Sequence, residues 1–172
     1  PCIGFIGSLD ERVDTDLLRA LIARRTDLDF LFVGRATDEA ADALAAFPNV
    51  TLAGPHPPER LPGFLARMDV GIIPFRVTPF TRSIYPLKLN EYLAAGRPVV
   101  TTPFAPLGDA EALVHTASDA GVFSRALDHA LAATGPAAKA RRIDFARGNT
   151  WTARAAAFSE VVASVAATHA LV

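Results

Sequence analysis

The chain has 172 residues, of which 51% are hydrophobic and 20% charged, and its formal net charge is −1. This length is typical of one domain, and the near-neutral charge argues against a general nucleic-acid-binding protein, which needs a basic surplus to neutralise phosphates. The single cysteine excludes an internal disulfide, and because the chain shows neither a signal peptide nor an apolar run of about 20 residues, we expect a cytoplasmic protein without a membrane span.

Apolar runs of strand length alternate with helical patterns through the first hundred or so residues. The predicted strands are Cys2–Gly7, Leu28–Gly34, Asn49–Gly54, Asp69–Phe75 and Val99–Thr102. Helices are predicted between them, beginning at Asp14 or Thr15, at Thr37, near Pro58 and at Pro86. The third strand is shorter and more polar than the others, which favours a position at the edge of a sheet.

The signals are weaker after Pro103. A sixth short strand is predicted at Ala112–Thr116, followed by a helix capped by Ser118 and another over PAAKARRIDFARG. We expect residues 1–149 to form the main domain and residues 150–172 a long closing helix. The apolar side of this helix is predicted to pack on its own domain and carries Trp151, Ala155, Phe158, Val162 and Val165.

This order of elements predicts an α/β protein with a doubly wound, Rossmann-like parallel sheet of about six strands and helices on both faces. Ligands of such sheets bind at the carboxyl ends of the strands. The loops predicted to meet at that edge are Gly7–Asp14, Gly34–Thr37, Gly54–Pro58, Phe75–Pro86 and Thr101–Asp109.

The segment that joins the fourth strand to its helix indicates a binding site. About a dozen residues is long for such a connection, and this one carries Arg76, Thr78, Thr81, Arg82 and Ser83. Pro86 suits the first helical position, where the free N–H groups of Leu87 and Lys88 and the positive end of the helix dipole attract an anion. Lys88 adds a full charge, and Glu91, one turn further, can accept hydrogen bonds from a sugar diol.

A purely structural interpretation remains open for each of these residues. Lys88 is also compatible with a solvated helix position, and Glu91 with an ion pair to Arg97. Gly7 and Ser8 let the backbone approach a phosphate, but they lack the G-x-G-x-x-G pattern of dinucleotide sites. His56 lies in a proline-rich loop and is a candidate for lining a base or sugar pocket. We assign no function to His115, His129 or His169, which have no evident partners.

Four segments together carry a resemblance to a known family: GFIGSLDERVDTDLLRALIARRTDLDFLFVG, NVTLAG, LARMDVGIIPF and, most specifically, YPLKLNEYLAAGRPVVTT. They are similar to the C-terminal donor-binding domain of GT-B-fold glycosyltransferases, above all the retaining family-4 group. The resemblance covers roughly Ile3 to Thr102, and TWTARAAAFSEVV resembles the closing helix of that family.

The resemblance implies binding of a nucleotide-diphosphate sugar for transfer to an acceptor, in polysaccharide or glycoconjugate synthesis. It implies that Glu91 binds the ribose, that Tyr85, Pro86, Leu87 and Lys88 meet the diphosphate and sugar, and that the Gly54–Pro57 segment meets the base. Many relatives carry a second glutamate where this chain has Ser83, and an arginine and a lysine where it has Ser8 and Asp14. The diphosphate charge would then be met by Arg82, Lys88 or Arg76, with Lys88 and Arg82 as the catalytic cations and no metal or other cofactor.

Two rival interpretations stay open: a non-catalytic nucleotide-sugar-binding module with a degenerate site, and a sugar-nucleotide epimerase. The chain begins inside a predicted strand and without Met, so we expect a piece of a longer protein whose N-terminal acceptor domain is missing. The apolar side of the closing helix also suggests a weak homodimer.

Overall fold

A computed structural model describes residues 1–169, so residues 170–172 of the predicted closing helix lie outside it, as does the side chain of His169. The described part contains six strands and seven α-helices. The strands are β1 Cys2–Ile6, β2 Asp29–Val33, β3 Val50–Gly54, β4 Val70–Ile73, β5 Val99–Thr101 and β6 Val114–Thr116. The helices are α1 Thr15–Arg24, α2 Asp38–Ala45, α3 Leu61–Arg67, α4 Leu87–Ala94, α5 Ala120–Ala132, α6 Pro136–Arg147 and α7 Trp151–His169. Short 3-10 turns cover Pro58–Arg60, Thr81–Ser83 and Gly108–Leu113.

The six strands form one parallel sheet in the order β3-β2-β1-β4-β5-β6. This is the strand order of the Rossmann fold, in which the chain reverses direction across the sheet between β1 and β4. The predicted doubly wound α/β fold is confirmed, as is the place of the third strand at a sheet edge. The crevice for a ligand is therefore expected above the adjacent ends of β1 and β4.

Helix α4 is fixed against these two central strands by one buried side chain. The hydroxyl of Tyr92 accepts a hydrogen bond from the backbone N–H of Ile6 in β1, at 2.8 Å. Its ring packs on β4 at Gly71, where an added Cβ would lie 2.6 Å from the ring. These contacts hold α4 against the two strands between which the crevice lies.

One helix start agrees with the sequence prediction and two differ from it. Asp14, one of the two predicted candidates, caps α1, and its carboxylate accepts a hydrogen bond from the Leu17 N–H at 3.1 Å. Asp119, rather than Ser118, caps α5 because its carboxylate reaches two backbone N–H groups of the first turn. Pro86 is the cap of α4 and not its first helical residue, since its ψ of 112° is extended.

Helix α7 corrects the prediction that its apolar side packs on its own domain. Trp151 is 77% exposed and Phe158 70%, and Val162 and Val165 are exposed as well. The periodicity predicted the helix correctly, but a periodic pattern does not show what covers the apolar side. Within residues 1–169, none of the helices combines the length and the hydrophobicity that a membrane span requires.

Candidate functional site

The ammonium group of Lys88 occupies the centre of the crevice. Its Nζ lies over the ring of Phe5 at the end of β1, 3.9 Å from the centroid, and 4.7 Å from the centroid of Phe75, just after β4. Gly7 makes room for it, because an added Cβ there would lie 2.7 Å from Nζ. Two rings and a glycine thus hold one cation at the point where the strand order reverses.

A second cation, Arg12, reaches the same place from the loop between β1 and α1. Its guanidinium binds the Asp10 carboxylate through Nε at 2.8 Å and also through Nη2, and it lies 5.8 Å from the Phe75 centroid. This pairing lowers the pKa of Asp10. Burial and, to a smaller extent, the charge of Arg12 lower the pKa of Lys88 to about 7, against the opposing effects of Asp10 and Glu91. The crevice therefore holds two basic side chains, of which only Arg12 is paired with a carboxylate.

The open end of α4 lies beside this cation. Pro86 supplies no side-chain cap, and within residues 1–169 no acceptor pairs with the N–H groups of Leu87 and Lys88. Leu87 is 55% exposed, so the entrance to the helix is not covered by protein. Unpaired N–H groups at a helix start, together with a neighbouring cation, are suited to bind an anion.

Glu91 is exposed on the next turn of α4. Its carboxylate makes no ion pair within the described residues, and Arg97, the alternative partner, donates to the Ala66 carbonyl instead. Glu91 lines a cavity of about 180 Å³ between α4 and the start of α7, with Leu87, Asn90, Asn149, Thr150, Trp151 and Arg154. The carboxylate is free to accept hydrogen bonds from a ligand.

Tyr85 connects the two walls of this cavity. Its hydroxyl donates to the Asn90 side chain at 3.1 Å, and the guanidinium of Arg154 from α7 lies 5.8 Å from its ring centroid. Tyr85 is 37% exposed. The structure therefore brings Tyr85, Leu87 and Glu91 together at one end of α4, with Lys88 one turn from Glu91.

Gly7 and Gly54 line a second cavity, of about 350 Å³, above the ends of β1, β2 and β3. The loops are in close contact here, because a Cβ on Gly34 would lie 2.1 Å from the Gly7 carbonyl oxygen. Ser8 is half-buried in the same loop as Gly7 but is not part of the wall of this cavity.

His56, the candidate for lining a base or sugar pocket, is not in the wall of that cavity. Its Nε2 lies 3.1 Å from the Ala53 carbonyl, and its ring packs on Phe64 of α3, with 4.6 Å between centroids. The loop after β3 turns the imidazole back onto the helix that follows. His56 is thus held by protein contacts, and only the backbone around Gly54 remains at the rim.

The structure does not bring Arg82 or Arg76 together with Lys88, and a contact of either with a bound diphosphate stays a prediction. Arg82 lines a separate cavity of about 820 Å³ beside the loop after β5. Arg76 faces α1, where its guanidinium lies 3.8 Å from Asp14 and 3.7 Å from Asp16.

The hydroxyl groups of the loop between β4 and α4 form hydrogen bonds within that loop. Thr78 and Thr81 exchange hydrogen bonds, and Thr81 also donates to the Arg76 carbonyl at 2.5 Å. Ser83 donates to the Phe80 carbonyl at 2.7 Å. These contacts explain the composition of the loop without a ligand.

His115 and His129, for which the sequence suggested no partner, stack on each other with 6.4 Å between ring centroids. Burial, and then His129, lower the pKa of His115. Within the described residues no three His, Cys, Asp or Glu side chains are placed to hold a metal ion.

Sequence reasoning missed Asp10 and Arg12. They stand two residues apart in DER, a spacing that suggests a local ion pair, but no pattern shows that the pair lies against Lys88, 76 residues away in the chain. That proximity results from the loop after β1 folding toward β4, where Asp14 donates its N–H to the Pro74 carbonyl and Arg76 its N–H to the Arg12 carbonyl.

Known proteins share both the sequence and the fold of this chain. The family model "Glycosyl transferases group 1" matches residues 1–133. TuaH of Bacillus subtilis (strain 168), named for a glycosyltransferase role in teichuronic acid biosynthesis, is 38% identical over 103 residues, which are 58% of this chain and 26% of TuaH.

Two solved structures show the same fold at low identity. A trehalose 6-phosphate synthase from Burkholderia multivorans superposes with a TM-score of 0.72 at 17% identity, over 98% of this chain and 44% of that one. Anabaena HepE in complex with UDP gives 0.70 at 15% identity, over 95% and 48%. The chain thus spans about a quarter of its sequence relative and less than half of either structural neighbour. On the family match, which covers most of its length, this chain belongs to the group 1 glycosyl transferases.

Proposed function

We propose that this domain binds the nucleotide-diphosphate part of a sugar donor for a glycosyltransferase. The observation that carries the proposal is the uncompensated ammonium of Lys88 beside the open start of α4, with the free carboxylate of Glu91 one turn away. Lys88 and the helix N–H groups would bind the diphosphate, and Glu91 the ribose hydroxyls. The cavity lined by Gly7 and Gly54 would take the base.

The reaction would depend on charge that develops on the leaving diphosphate. Preorganised cations and N–H groups around that charge stabilise the transition state for departure of the sugar. We assign this role to Lys88 together with Arg12, which lies over Phe75 in the crevice, whereas Arg82 lines a different cavity. We expect no metal ion or other cofactor to be required. The acceptor site would lie in a further domain of the polypeptide.

Ribose recognition by Glu91 gives the direct test. We expect calorimetry of the chain with UDP, GDP and ADP to show a Kd on the order of 0.1 mM for at least one of them, as befits half of a cleft. Glu91→Ala should weaken the binding of that nucleotide about tenfold or more, because hydrogen bonds to a charged group are lost. The same variant should bind the 2′,3′-dideoxy nucleotide as well as the unaltered chain does.

The control is Glu160→Ala, which removes an exposed carboxylate from α7 and should change nothing. If Glu91→Ala weakens the binding of the dideoxy nucleotide as much as that of the ordinary nucleotide, the carboxylate does not bind the ribose. If none of the three nucleotides binds the folded chain, the donor-site proposal is wrong.

A degenerate, non-catalytic module is the second candidate. Two of the positions where relatives carry charged ligands serve the fold here, since Asp14 caps α1 and Ser83 binds its own loop. A sugar-transfer assay on the longer polypeptide separates the two candidates. A transferase is active and loses activity in the Glu91→Ala variant, whereas a non-catalytic module shows no transfer with or without the substitution. The family match favours transfer over the epimerase interpretation.

A further inference from the structure

Lys88 is a cation without a counter-ion. An ammonium group has three N–H donors, yet within residues 1–169 Nζ of Lys88 has no hydrogen bond and no carboxylate within ion-pair distance. Its neighbours are the faces of Phe5 and Phe75. Aromatic faces attract a cation by about 0.5–2 kcal/mol, but they accept no ordinary hydrogen bond and do not replace its hydration.

The charged groups near Lys88 do not balance it. The loop after β1 contributes Asp10 and Arg12, which bind each other and so leave almost no net charge. Helix α4 itself contributes Glu91, which is exposed to water and screened. On the β4 side Phe75 is apolar, and Arg76 beyond it is turned toward Asp14 and Asp16.

A buried ammonium with no anion nearby loses its proton more readily, because burial disfavours the charged form. Burial and Arg12 accordingly lower the pKa of Lys88 to about 7. A substantial fraction of the empty domain therefore holds a neutral Lys88 near neutral pH.

We propose that binding of a nucleoside diphosphate to this domain takes up a proton, and that Lys88 is the group that receives it. The inference rests on the proposed function. A diphosphate at the start of α4 supplies the negative charge that the crevice lacks, and the ammonium form of Lys88 becomes the favoured one. Donor affinity then falls as pH rises above 7, by up to about tenfold per pH unit.

The chain is well suited to a direct measurement, because it contains only one other lysine, Lys139. With lysine labelled at Cε, two NMR signals report the two amines. We expect the Lys88 signal of the empty chain to titrate near pH 7 and to move at least one pH unit higher in saturating UDP. Lys139 is exposed on α6, and its signal is the internal reference that should not respond to UDP.

Calorimetry of UDP binding at pH 7.5, in buffers of different ionisation enthalpy, counts the protons. We expect uptake of a substantial fraction of a proton per UDP with the unaltered chain, from the neutral form of Lys88 at that pH. Lys88→Arg stays charged at this pH, so whatever UDP it binds should bind without this uptake, whereas Lys139→Arg should match the unaltered chain. Any proton taken up by UDP itself persists in Lys88→Arg and is subtracted.

The outcomes separate the two proposals. If UDP binds but proton uptake is the same in the unaltered chain and in Lys88→Arg, the proton linkage is wrong and the binding site stands. If the NMR titration gives Lys88 a pKa near 10 in the empty chain, the proposed proton linkage is again wrong. This titration uses the unaltered chain, so its result does not depend on the folding of a variant. If neither UDP, GDP nor ADP binds, the linkage and the proposed function are both wrong.

Discussion

Lys88 combines two properties that conflict in a folded protein, a charge and a largely apolar environment. Between Phe5 and Phe75 the ammonium has lost much of its hydration, and no anion replaces it. A group whose pKa falls on folding destabilises the folded state at any pH where the unfolded chain holds the proton more tightly. Under the proposed function, Lys88 lowers the stability of the empty domain and strengthens binding of the diphosphate.

Lys88→Met should therefore stabilise the empty domain while it weakens nucleotide binding. We expect a gain of about 1 kcal/mol, or a rise of roughly 2–4 °C in Tm, at pH 6 to 7. The cost of Lys88 is fully present below its folded pKa of about 7. It diminishes as pH rises toward the ordinary lysine value of about 10.4, so the gain should be smaller at pH 9.5.

Thermal unfolding followed by circular dichroism at both pH values checks this. Lys139→Met, at an exposed position, is the control and should leave Tm within about 1 °C at either pH. A lower Tm for Lys88→Met at pH 6 would show that the aromatic contacts of the ammonium stabilise the fold more than its burial destabilises it.

At the scale of elements, the position of α4 decides whether Lys88 and Glu91 can act on one ligand. The helix is tied to β1 by the hydrogen bond from the Ile6 N–H to the Tyr92 hydroxyl. Just after its C-terminal end, the Arg142 side chain of α6 donates to the Gly96 carbonyl at 2.9 Å. Both contacts act on the C-terminal part of α4, while in the first turn the buried side chain of Leu89 packs in the core.

Tyr92→Phe should lower the free energy of unfolding by about 1–3 kcal/mol, because it leaves the buried Ile6 N–H without an acceptor. The chain's other tyrosine is a matched control. Tyr85→Phe removes a hydroxyl that binds Asn90 at the surface and should cost less than about 0.5 kcal/mol. Urea unfolding of the two variants measures both; equal losses would contradict the role assigned to Tyr92.

The positions of the strands and helices also explain which parts of the site could be predicted from the sequence. The order of strands and helices, and with it the crevice, follows from local patterns, so Glu91, Lys88 and Gly7 could be selected from the sequence. The direction of a long side chain depends on contacts made far along the chain. Arg76 turns to α1 and His56 to α3, while Arg12 reaches Lys88, and no local spacing distinguishes these outcomes.

At the scale of the whole molecule, α7 stands apart from the core. The buried hydrophobic residues end at Ala146 within the described chain, and the apolar side chains of α7 described above are exposed. The helix is rich in alanine, the residue with the highest helix propensity, and Thr150 caps it through the Ala153 N–H at 3.2 Å. Local propensity, more than packing, thus accounts for its structure.

Removing the residues after Ala157 should therefore leave the domain intact. This truncation keeps Trp151 and Arg154 beside the Glu91 cavity and deletes Phe158 and the valines beyond it. We expect Tm to change by less than about 2 °C, because little buried surface is lost, and self-association measured by light scattering to decrease as the apolar side is removed. Phe158→Ala, which keeps the helix and shortens one exposed side chain, is the control for the deletion itself. A fall in Tm of several degrees for the truncation would mean that the helix packs on the domain in solution.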